Sequence, residues 1–95
     1  MLSFKTPHDV AQQLAQQART RRVATNLSRE TLSAKSGVSA ASIRRFETTG
    51  AISLESLLKL AQVLDCLDAF EALFPAKAIV SLADITATPR LRGRL

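Results

Sequence analysis

Residues 27–50 read "LSRETLSAKSGVSAASIRRFETTG". Two short helices are predicted here, because a serine precedes each run and a glycine follows it: Ser28 and Ser39 are N-caps, Gly37 makes the turn and Gly50 the stop. Placed at 100° per residue from Ala40, the second run puts Ala40, Arg44, Thr48, Ala41 and Arg45 between about 0° and 140°, with Phe46 and Ile43 at about 240° and 300°. One stripe is apolar and faces inward. The other is small and basic and faces outward, which a helix that merely covers a core rarely shows.

Outward from this pair, start and stop signals predict three more helices. Thr6, Pro7 and Asp9 open the first, which repeats Val10, Ala11, Leu14 and Ala18 at helical spacing as far as Arg22. Asn26 ends the connection to the second, since asparagine tolerates the left-handed conformation. Ser53 caps a fourth helix whose Leu54, Leu57, Leu58, Ala61 and Leu64 form a broad apolar face, and Asp68 to Phe74 reads as a fifth, stopped by Pro75. Only Ala78 to Leu82 has any strand-like alternation. The expected class is all-α, with residues 1–75 as one domain and 76–95 as a C-terminal extension and basic tail.

The chain of 95 residues suits one domain with a modest core. Its net charge of +5 is unevenly placed. Residues 19–45 hold Arg19, Arg21, Arg22, Arg29, Lys35, Arg44 and Arg45 against Glu30, a balance of +6. Residues 46–75 hold Lys59 against Glu47, Glu55, Asp65, Asp68 and Glu71, a balance of −4, and residues 76–95 have +3. Positive charge gathered beside the unusual helix is what a phosphate-binding surface requires; a solvated basic face is the blander account. The acidic Asp65, Asp68 and Glu71 read as a solvated face or as a docking surface for a protein.

Other chemistry has little to work with. Cys66 is the single cysteine and reads as a small core residue, and His8 is the single histidine, far from it in sequence. No metal, cofactor or catalytic set is expected. With no apolar run of about 20 residues and no signal-peptide pattern, a cytoplasmic protein without membrane contact is expected.

Residues 27–50 resemble the XRE (Cro/CI-like) family of helix-turn-helix repressors position by position: leucine before the second helix, leucine and a small residue within it, glycine at the turn, then valine, isoleucine, an apolar residue, glutamate and glycine. With the flanking helices the likeness covers residues 8–74. It implies a five-helix lambda-repressor-like fold, a third helix that enters the DNA major groove, and homodimeric binding to double-stranded operator DNA. Ala40 and Ala41 would then meet thymine methyls, Ser42 a phosphate or base, and Arg44 and Arg45 guanine edges or phosphates, with Arg45 the first choice for base reading. Ser28 and Arg29 would stand at a helix N-terminus suited to phosphate, with Ser39, Lys35, Thr48 and Thr49 as further contacts. Thr48 and Thr49 stand where many relatives have one residue before the glycine, and are expected to lengthen the loop.

The likeness also places an arginine opposite Glu47, so a buried ion pair between Arg22 and Glu47 is expected. At the flanks, "MLSFKTPHDVAQQL" and "AISLESLLKLAQVLDCLDAFEALFP" resemble HipB-type antitoxins. Such repressors are encoded beside HipA-like toxin kinases, repress their own operon and hold the toxin. A free-standing phage-type or metabolic repressor, and an interaction module that binds no DNA, are the other readings. A dimer would bury Leu67, Phe70 and Phe74 with Ile79, Val80 and Leu82, apolar residues beyond what so small a core hides; packing back onto the same chain is the alternative. The tail from Ser81, a possible short helix followed by alternating arginines, could reach DNA or a partner.

Overall fold

A computed structural model describes residues 5–75, and among them the chain forms five helices and no strand. They are α1 (Pro7–Ala24), α2 (Arg29–Ser36), α3 (Ala40–Thr49), α4 (Leu54–Val63) and α5 (Asp68–Glu71). The expectations for Ile79, Val80, Leu82, the Ala78 to Leu82 alternation and the basic tail fall outside the described residues.

Each of the first four helices starts on a hydroxyl that accepts a backbone N–H of the first turn. Thr6 and Asp9 form a reciprocal capping box, Asp9 N donating to Thr6 Oγ1 at 3.0 Å and Thr6 N to Asp9 Oδ2 at 3.1 Å. Ser28, Ser39 and Ser53 accept from Thr31, Ser42 and Ser56. Asn26 has φ 61°, the left-handed exit its amide suits; Asp65, at φ 60° after α4, repeats the device where no left-handed residue was expected.

The core is small. Ala15 of α1, Leu32 of α2, Val38 of the turn, Ile43 and Phe46 of α3, and Leu60 and Leu64 at the end of α4 are buried together. α1 packs on α3, and α2 on both α3 and α4, so the two predicted short helices are held from behind. Ile43 and Phe46 are the inward stripe of α3, as their wheel positions require.

Three expectations need correction. The inward stripe of α4 is Leu57, Leu60, Ala61 and Leu64; Leu54 is 66% exposed, because it occupies the first turn, beyond the edge of the core. Only Asp68–Glu71 form a fifth helix: no side chain caps its start and none of its residues is buried. Thr48 and Thr49 lengthen α3 itself and not the loop, since the left-handed Gly50 stops the helix after both.

Candidate nucleic-acid interface

The outer stripe of α3 is open. Ala41, Ser42, Arg44, Arg45, Thr48 and Thr49 are exposed and Ala40 is half-buried. Two methyl-sized residues therefore leave the backbone approachable between two long cationic side chains, and the helix begins with uncompensated N–H groups that favour anions. Hydroxyl chemistry sorts the smaller candidates. Ser39 Oγ lies 2.9 Å from Ser42 Oγ and donates to it, which leaves the Ser42 proton for an outside acceptor. Ser28 likewise donates to Thr31 Oγ1 at 3.0 Å, so the neighbouring Thr31, absent from the expected site, keeps a proton to offer. Thr49 is the correction: its one proton goes to Arg45 O at 2.7 Å and its oxygen accepts Ala51 N at 3.1 Å, so it has no donor left for phosphate.

Beneath the stripe, one carboxylate holds three segments. Arg22 Nε donates to Glu47 Oε2 at 2.7 Å and its Nη2 to Oε1 at 3.1 Å, a bidentate pair, while its Nη1 reaches Leu27 O at 2.8 Å. Arg29 Nε adds a bond to Glu47 Oε1 at 3.0 Å. The Glu47 side chain is 3% exposed. Burial alone would raise its pKa, but the hydrogen bonds and charge of Arg22, then those of Arg29, outweigh it and hold the carboxyl below its ordinary value. The end of α1, the start of α2 and the body of α3 thus meet at one ion cluster. Arg29 is half-buried by this contact, so its Nη end is the part left for a phosphate.

Two residues that sequence reasoning passed over complete the frame. Gln12 Nε2 donates to Thr49 O at 2.9 Å, tying α1 to the last turn of α3. Arg21 Nε donates to Leu64 O at 2.7 Å and Nη2 to Asp65 O at 3.4 Å, closing the C-terminus of α4. Capping signals lie within one element and can be read locally; these bonds join residues 37 to 44 positions apart, which no local pattern announces. They also revise the charge argument. Arg21 and Arg22, counted in the basic segment, donate to protein carbonyls and a carboxylate, and only Arg22 is buried by this; Arg19, Lys35, Arg44 and Arg45 are exposed.

Gly50 is demanded twice over. Its φ is 83°, and a Cβ there would lie 3.1 Å from Ala11 C and 3.2 Å from Ala11 O. The turn between α3 and α4 is thereby pressed against α1. Residues 19–68, more than half of the chain, match the sequence model of a family described as helix-turn-helix. The chain belongs to the XRE-type helix-turn-helix family. Comparison with curated proteins and with solved structures finds no match. As a helix-turn-helix protein it is a DNA-binding transcription regulator, and α2 and α3 are the two helices of its motif. Among the described residues of this helix-turn-helix chain, no helix is long and apolar enough to cross a membrane.

Of the residues expected between subunits, Leu67 and Phe70 are half-buried, whereas Phe74 is 96% exposed. Cys66 is half-buried at the edge of the core and not within it.

Proposed function

We propose that this regulator represses transcription as a homodimer, each subunit laying α3 in the major groove of double-stranded operator DNA. One observation carries the reading: Arg44 and Arg45 stand exposed beside Ala40, Ala41 and Ser42, on a helix whose opposite face is anchored by Ile43, Phe46 and Glu47. Arg45 reads a guanine through O6 and N7, Arg44 reads a second base or a phosphate, and the alanine methyls pack on thymine. Ser28, Arg29, Ser39 and Thr48 sit along the backbone, where contacts fix register without reading sequence. Lys35 adds screening charge.

A single motif reads too few base pairs for a useful site, so two copies related by a two-fold axis are needed, with half-sites about one helical turn apart. The exposed Phe74, with Leu67 and Phe70 nearby and Ile79, Val80 and Leu82 in the following segment, supports placing the contact between copies at that end of the chain. The likeness of both flanks to HipB-type antitoxins supports an operon in which this repressor controls and restrains a HipA-like kinase toxin.

Selection of bound sequences from a random duplex pool tests the core of this reading. A two-fold symmetric site is the expected result; no enrichment, or unchanged affinity for the Arg44→Ala, Arg45→Ala protein, would overturn it. Co-expression with the kinase encoded in the same operon tests the rest: the complex should survive purification, and the absence of such a gene leaves the free-standing repressor.

A further inference from the structure

The cluster at Glu47 carries more positive charge than negative. One carboxylate faces the guanidiniums of Arg22 and Arg29, and the only other ion pair among the described residues, Lys59 with Glu55, lies within α4. The surplus is not spread evenly. Arg22 is buried and all three of its nitrogens are engaged, Nε and Nη2 on Glu47 and Nη1 on Leu27 O. Arg29 gives only its Nε, and its side chain is 29% exposed against 3% for Glu47. The unmatched charge therefore stands at the surface, on the first residue of α2, beside N–H groups whose dipole favours an anion.

A guanidinium is planar and holds its five N–H donors in a fixed fork. Tying Nε to a buried oxygen at 3.0 Å thus sets the plane and the direction of both Nη groups, which no acceptor among the described residues takes up. The oxygen is itself held. Arg22 Nη2 bonds the same Oε1 at 3.1 Å, and Arg22 Nε bonds Oε2 at 2.7 Å. A long surface side chain loses rotamer freedom when it grips a phosphate; at Arg29 much of that freedom is already lost on folding.

We infer that Glu47 is a positioning residue for DNA binding: through Oε1 it aims the Nη end of Arg29 at a backbone phosphate of the duplex. The inference rests on the reading above, in which Arg29 lies along the DNA backbone. It demands arginine at position 29 and not merely a positive charge. The compact ammonium of a lysine that paired with the buried carboxylate would be drawn inward, away from the phosphate.

The salt dependence of binding tests this, with the full-length protein and a labelled duplex carrying the selected site. Arg29→Ala should lower the slope of log affinity against log salt concentration by about one. Arg29→Lys, at a partly exposed position that spares the fold, should lower it equally despite its charge. Glu47→Gln should do the same, and adding Arg29→Ala to it should change the slope no further; titration at saturating duplex fixes the active fraction of each protein. Leu60→Ala, which loosens the core without touching the cluster, should keep the wild-type slope, so lost stability alone does not imitate the effect. A wild-type slope in Arg29→Lys or in folded Glu47→Gln, with that of Arg29→Ala lowered, would overturn the inference and leave the phosphate contact standing. An Arg29→Ala slope equal to wild type would remove the contact and the inference together. If Glu47→Gln does not fold, Arg29→Lys decides alone.

Discussion

Glu47 accepts from two arginines of different helices, and that asymmetry ranks the single substitutions. Glu47→Ala leaves the buried Arg22 unpaired and should cost about 3 to 5 kcal/mol of stability. Arg22→Ala leaves the carboxylate with Arg29 and should cost less; Arg29→Ala, at a side chain nearly a third exposed, should cost least, about 1 kcal/mol. Urea unfolding of the three proteins checks the order. The same cluster sets a pH dependence. Native Glu47 holds its proton less readily than the unfolded chain, whose carboxyl has the ordinary value near 4.5, so its contribution is complete above that value and fades as pH falls through the lower native one. Stability measured from about pH 7 down to about pH 3 should therefore decline more steeply in wild type than in Glu47→Gln. For the site itself, Arg45→Ala should lose about 1 to 3 kcal/mol of operator affinity and relax one base pair, whereas Arg29→Ala should weaken all sequences alike and flatten the salt slope by about one; gel-shift titrations at several salt concentrations separate the two. The pairing of Arg22 with Glu47 could be expected from family likeness, but the third partner could not, because Arg29 reads equally well as a phosphate contact until its Nε is seen turned inward.

The helices themselves were largely legible because their ends carry chemistry that acts within four residues. Ser39→Ala removes the acceptor for Ser42 N and should cost about 1 kcal/mol. The two glycines look alike in sequence yet differ in the fold. A Cβ at Gly37 meets nothing within 4 Å, so Gly37→Ala bears only the left-handed backbone penalty, about 1 kcal/mol or somewhat more. At Gly50 the same penalty is joined by contact with the backbone of Ala11, which cannot yield without moving α1; thermal unfolding should show Gly50→Ala as clearly the worse of the two. Sequence pattern failed where packing and not capping decides. Leu54 and Leu60 are both leucines on one helix, yet Leu60 lies over the core and is buried, whereas Leu54, in the first turn, stands beyond its edge. Four residues of α5 likewise fall short of the expected seven because nothing beneath them fixes a longer turn.

At the scale of the whole molecule, the family and its topology could be read from one 24-residue stretch, since apolar spacing and two glycines admit few arrangements. The assembly could not, because a surface between copies leaves no periodic signature of its own. Sedimentation of the full-length protein should give a dimer at micromolar concentration, and Phe74→Asp should shift it toward monomer with unchanged helix content; a monomer in wild type would rule out stable dimerisation before DNA is met. One consequence of the three-way junction at Glu47 concerns the energetics of recognition. With Gln12 at its far end, Ser39 at its near end and Glu47 between them, α3 is already ordered before any duplex arrives. Little conformational entropy remains to be lost on association, so the calorimetric heat capacity of operator binding should match that of two rigid surfaces meeting, without the excess that marks folding on contact.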